Sequence, residues 1–158
     1  MSIFRPMILS SILLACFAVD SASGNQGLKD RFVVASEEMG EAMMEMVRSC
    51  APGIDLSGVE SAYTPRMVDA AHCVIDLHVD QFGQAETEAL VSQAEAMAEQ
   101  SFSSFQEMES LQQNYPRLSN PALSEINRSC GTFEAANDYS LNRVMRQSMA
   151  SMADCQSQ

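Results

Sequence analysis

Cys50, Cys73, Cys130 and Cys155 restrict the fold of this chain more than any other feature, because of the segment that precedes them. Residues 1–22 read as a secretory signal peptide: a short start with one cation, Arg5, then the apolar run MILSSILLACFAV, then the small and polar DSASGNQG. The run falls short of the about 20 apolar residues that a membrane-spanning helix needs, and no later stretch is longer, so no transmembrane segment is expected. Export to the periplasm or the extracellular space puts the four cysteines in an oxidising compartment, where an even number pairs as disulfides. A fifth cysteine, Cys16, lies inside the leader. Leu13, Leu14, Ala15 and Cys16 also resemble a bacterial lipobox, which would make Cys16 a lipid anchor. The apolar Phe17, Ala18 and Val19 that follow it, and the small residues at Ala22 and Gly24, favour ordinary cleavage. Either route removes Cys16 from disulfide pairing.

An internal echo bears on how the other four pair. EMVRSC, residues 45–50, recurs as EINRSC, residues 125–130, and MVDAAHC ends at Cys73 as MASMADC ends at Cys155. The parallel predicts sequential bonds, Cys50 to Cys73 and Cys130 to Cys155, each closing a loop worth roughly 3 kcal/mol in the chain-entropy model. The crossed pairings stay open as alternatives.

The about 135 residues beyond the leader suffice for one domain, residues 23–158. A net charge of −12 lacks the Lys and Arg stripes that phosphates require, which argues against nucleic acid and against an anionic membrane surface. With no Trp, three Tyr and an apolar content carried by Ala, Met and Leu, the composition suits closely packed helices better than a sheet.

Periodicity agrees. Phe32, Ala35, Met39, Met43, Met46 and Cys50 recur at helical spacing from Leu28 until Pro52 and Gly53. Thr64 and Pro65 form a cap-and-proline start for a second helix that reaches Phe82 and stops at Gly83. A third is expected from Ala85 to Gln113, with Leu90, Ala94, Met97, Phe105 and Met108 inward. Asn120 and Pro121 start a fourth that runs to Cys130. A fifth, starting between Thr132 and Ser140, carries Leu141, Met145, Met149 and Met152 to Cys155. The expected fold is all-α, a compact bundle of about five helices stapled by two disulfides.

Candidate chemistry is sparse. Met39, Met43 and Met46 share one face of the first helix, and Met145, Met149 and Met152 one face of the last. Thioethers can hold Cu(I), but the same positions form the stripe that each helix must bury, and Met fills cores adaptably. Packing is therefore the expected role. On the second helix Asp69, Asp76 and Asp80 fall on one flank with His72 near its edge. Two ligand types one turn apart make a poor metal site, so a solvated flank is expected and no metal is assigned. His78 shares the apolar face with Ala71, Ile75 and Phe82 and is read as a core histidine with one hydrogen-bond partner. Asn127 begins the glycosylation triplet NRS, which would matter only in a eukaryotic secretory route.

No nucleophile elbow, zinc-protease motif, phosphate-cradling glycine loop or C-x-x-C pair is present. No catalytic residue and no cofactor are expected. The reading is an exported, non-enzymatic binding or interaction module whose partner is a protein or a small apolar ligand. The alternative is a periplasmic copper-handling protein that uses the methionine faces.

Overall fold

The computed structural model describes residues 21–148. The expectations on the leader, Cys16, Met149, Met152 and Cys155 lie outside them. The elements are α1 (Ser21–Cys50), α2 (Pro65–Phe82), α3 (Gln84–Ala98), α4 (Phe105–Gln112), α5 (Pro121–Ser129), α6 (Thr132–Ala135), a 3-10 turn (Ala136–Asp138) and α7 (Ser140–Ser148). No strand occurs among the described residues, so the chain is all-α there.

Local chemistry sets most of these boundaries. The Thr64 hydroxyl accepts the Met67 N–H at 3.3 Å and Pro65 takes the first helical position, as the sequence predicts for α2. Gly83, at φ 84°, ends α2 and turns the chain into α3. Asn120 caps α5 through the Ala122 N–H at 3.0 Å. Helix α1 starts at Ser21, seven residues ahead of Leu28. That extension is polar, has no apolar period and includes Gly24 and Gly27, so helical spacing of apolar residues gave no sign of it.

The single helix expected from Ala85 to Gln113 is two. Ser104 caps α4, accepting the Glu107 N–H at 3.2 Å, while the Glu107 carboxylate accepts the Ser103 N–H at 2.7 Å and its hydroxyl at 2.8 Å. This is a variant of the capping box, written in the sequence as Ser104-Phe105-Gln106-Glu107. The expected fifth helix is α7, which starts at Ser140, within the range Thr132 to Ser140; α6 and the 3-10 turn before it are additional elements. Five expected helices are thus seven α-helices among the described residues.

Helix α1 packs mainly on α3 and then on α2, and α2 also carries α5 and α6. Val74 of α2, Leu90 of α3 and Leu123 and Ile126 of α5 form one apolar cluster, with Cys130 against it. That packing delivers Cys130 to Cys73, and the two form a disulfide with their Cα atoms 5.6 Å apart. The sequential pairing of Cys50 with Cys73 and Cys130 with Cys155 is therefore wrong. Cys50 sits in a different cluster, with Met46, Val47, Ala51 and Phe102. It is not free either, and no other described cysteine remains to bond it.

The echo that suggested the wrong pairing is real, but local. Both copies end a helix, and both place an i,i+3 ion pair in the last turn, Glu45–Arg48 at 3.2 Å and Glu125–Arg128 at 3.6 Å. What recurs is a helix C-terminus, with its cation near the negative end of the dipole.

The few cations mostly tie elements together. Lys29 reaches Asp76 at 2.7 Å, joining α1 to α2. Arg31 grips both oxygens of Glu95 at 2.7 Å and also reaches Glu88, joining α1 to α3. Arg117 makes a two-point pair with Glu86 at 2.7 and 3.1 Å, and its N–H donates to Gln93 at 2.9 Å, which holds the segment before α5 against α3. The Arg31 and Arg117 guanidiniums hold the carboxyls of Glu95 and Glu86 below their ordinary value of 4.5. Carboxyls depressed in the folded state stabilise it above the unfolded value, and that contribution disappears as pH falls through the folded one. Arg31→Met should therefore lose stability at neutral pH, and the gap to wild type should narrow progressively as pH falls below the ordinary carboxyl value of 4.5. Urea unfolding of both proteins across pH 3–7 checks this; an undiminished gap in acid would refute the role given to the pair.

A methionine-lined cleft as the candidate site

The apolar residues of the interior fall into four clusters. Where they fail to merge lies a cleft of about 380 Å³. Helix α1 provides one wall with Phe32, Ala35, Met39, Gly40 and Met43, and α3 provides Ala94 and Met97. Met108 of α4, Met67 of α2, and Tyr139 and Leu141 at the entry to α7 close the rest. Five methionines from four helices thus border one space.

The polar groups of the lining are largely committed elsewhere. The Ser36 hydroxyl donates to the Phe32 carbonyl at 2.7 Å, and the Asn142 amide donates to the Ala136 carbonyl at 3.3 Å. The Tyr139 hydroxyl donates to the Ser61 carbonyl at 2.6 Å, and its ring meets Tyr63 edge-on at 5.5 Å. Burial first, and then the neighbouring Tyr63, Glu37 and Glu41, push the Tyr139 hydroxyl up to about 12, so it remains a donor throughout the physiological range. Gln112 adds a further polar group to the lining, so the surface offered to an occupant is mainly, not wholly, thioether, aromatic and aliphatic.

Gly40 shapes this wall. A β-carbon there would lie 2.7 Å from the Tyr139 hydroxyl oxygen and 3.7 Å from Leu141. The isolated glycine in an otherwise regular helical pattern was the sequence signal for this close approach.

The other expected sites are dispersed. His78 is buried, its Nδ1 donating to the Thr87 hydroxyl at 2.8 Å while that hydroxyl donates to the Gly83 carbonyl. Burial pushes the imidazole below its usual value, and Phe82 covers it with ring centroids 4.7 Å apart. The core reading of His78 therefore stands. Asp69 and Asp80 are exposed, as expected of a solvated flank, but Asp76 is drawn to Lys29 instead of pairing with His72. Among the described residues no group of three or more His, Cys, Asp and Glu side chains is placed to hold a metal ion. Asn127 is half-buried on α5.

The methionine face of α1 divides. Met46 is 2% exposed and belongs to the core, as does Met44, whereas Met39 and Met43 are half-buried and turn to the cleft. Periodicity alone gave all of one face a packing role, because it cannot see a gap between clusters. Neither a protein-family model, nor a curated protein, nor a solved structure matches the chain.

The division has a measurable consequence. Met46→Ala should cost roughly 2–5 kcal/mol, the range for truncating a buried large side chain. Met43→Ala should cost less than half as much, because it enlarges a space that already exists. Equal costs in urea unfolding would mean that the α1 methionines form one uniform core.

Proposed function

We propose that this chain is an exported, disulfide-stabilised helical module that binds a small apolar molecule in the methionine-lined cleft and performs no chemistry on it. The observation that carries the reading is the cleft itself. Its volume of about 380 Å³ falls within the roughly 300–1,000 Å³ of small-ligand pockets, and such pockets are mainly apolar with a few placed polar groups. Methionine suits a wall of this kind, since its unbranched, polarisable side chain repacks around differently shaped occupants.

The Cys73–Cys130 bond supports an oxidising destination, because structural disulfides persist in exported proteins and rarely in the cytosol. The apolar leader at residues 1–22 supports the same route. We assign the second staple to Cys50 and Cys155, the cysteines left once Cys73 and Cys130 are joined and Cys16 leaves with the leader. Among the described residues no helix is long and apolar enough to cross a membrane, and the net charge of −12 disfavours nucleic acid as a partner.

A second reading, Cu(I) binding, is favoured by the convergence of Met39, Met43, Met67, Met97 and Met108 on one space. Leucine separates the two readings, since it keeps an apolar wall and removes the sulfur. Titration of the mature protein with the neutral fluorescent probe N-phenyl-1-naphthylamine should show saturable binding. Met43→Trp, which fills the cleft, should weaken it by about tenfold or more, and Met43→Leu should leave it nearly unchanged. Absence of saturable binding, or its indifference to Met43→Trp, would sink the apolar reading. Tight Cu(I) binding lost in Met39→Leu/Met43→Leu would establish the metal reading in its place.

A further inference from the structure

Charge and polarity are distributed unevenly around the methionine-lined cleft. Among the described residues, no Asp, Glu, Lys, Arg or His lines it. An ion of either sign would lose part of its water there without gaining a counter-charge. An anion meets a further obstacle. Besides burial and Tyr63, Glu37 and Glu41 raise the Tyr139 hydroxyl on the wall, and the whole chain carries a net charge of −12. These conditions favour an uncharged occupant.

One polar side chain of the lining is uncommitted. Gln112 is the last residue of α4, one helical turn after Met108, and the two border the cleft together. Its backbone is fixed in place. The Gln112 carbonyl accepts the Tyr115 N–H at 3.0 Å and the Ser119 hydroxyl at 3.1 Å, and the Tyr115 hydroxyl donates to the Ala96 carbonyl of α3 at 3.2 Å. The half-buried side chain, by contrast, makes no hydrogen bond to any described residue. The hydroxyls of Ser36 and Tyr139 and the amide N–H of Asn142 are already given to backbone carbonyls. A carboxamide has two donors and an acceptor oxygen, so it can meet a hydroxyl, a carbonyl or an amide equally well.

We propose that Gln112 sets the class of ligand: a small neutral molecule with an apolar body and one hydrogen-bonding head, an alcohol, phenol or amide rather than a carboxylate or an ammonium. The head meets the Gln112 carboxamide and the body lies against the thioethers. This rests on the apolar-binding reading and adds a polar end to it. Small-ligand sites commonly join an apolar wall to a few polar groups that fix orientation, and here a fixed backbone carries the one side chain left to do so.

The test uses the full mature chain and three bicyclic compounds of similar shape, naphthalene, 2-naphthol and 2-naphthoate, as competitors of N-phenyl-1-naphthylamine at neutral pH. 2-Naphthol should bind about threefold or more tightly than naphthalene, the effect of one net hydrogen bond, and 2-naphthoate should bind most weakly. Gln112→Leu should abolish the preference for 2-naphthol while naphthalene still binds. Gln112→Lys should raise the affinity for 2-naphthoate above that for 2-naphthol, a gain that damage to the fold cannot produce.

Equal affinities for naphthalene and 2-naphthol in wild type would overturn the inference. So would a preference for 2-naphthol that survives Gln112→Leu, or a Gln112→Lys variant that gains nothing for 2-naphthoate. In each of those cases saturable probe binding that is lost in Met43→Trp leaves the apolar reading standing. Absence of saturable probe binding in wild type removes that reading, and the role of Gln112 falls with it.

Discussion

The close approach of Tyr139 to Gly40 is the contact on which the rest of this interior depends. The phenol passes where a β-carbon would stand, and its hydroxyl is anchored on the Ser61 carbonyl beyond. One crossing thus holds three parts of the chain together: the middle of α1, the loop before α2 and the entry to α7. With Leu141 seated in the same place, α1 becomes a wall that α2 and α3 pack against and α7 starts from. Glycine within a helix costs about 1 kcal/mol relative to alanine. Here that cost is offset by a crossing that no larger residue allows.

The cleft follows from that crossing and from composition. A chain with no Trp and an apolar content rich in Ala and Met fills space in small increments. Its core forms four clusters, and the volume between them lies beside Gly40. Interiors normally pack near the density of organic crystals, with few voids wider than a water molecule. The space of about 380 Å³ between the clusters is open to solvent along one side and walled in part by flexible thioethers, a groove and not an enclosed void. Around it the scarce cations are placed where they join elements, at Asp76, Glu95 and Glu86, and the excess of carboxylates faces solvent.

Much of this was legible in the chain. The all-α class, the caps at Thr64 and Asn120, the stop at Gly83 and the buried His78 all follow from local rules that the structure obeys. The break between α3 and α4 was legible but unread, in the capping signal Ser104 to Glu107. The disulfide partner was not legible. The repeated RSC motif encodes a helix end, whereas the partner of Cys73 depends on α5 packing against α2, a long-range event that spacing does not report. The cleft was hidden for the same reason. Met39 and Met46 are equivalent in a helical wheel, and only the positions of α3, α4 and Tyr139 separate the one that faces the cleft from the one that fills the core.

Central to the account is the proposal that the methionine-walled space, which shares the buried Met67 and Met97 with the core, takes up apolar molecules while Met44 and Met46 only pack. The most direct measurement is an NMR spectrum of the protein with isotope-labelled methionine methyl groups, recorded with and without a neutral apolar probe. The account predicts that the methyls of Met39, Met43, Met67, Met97 and Met108 shift together while those of Met44 and Met46 stay in place. Shifts spread evenly over all seven, or no shift at saturating probe, would contradict it.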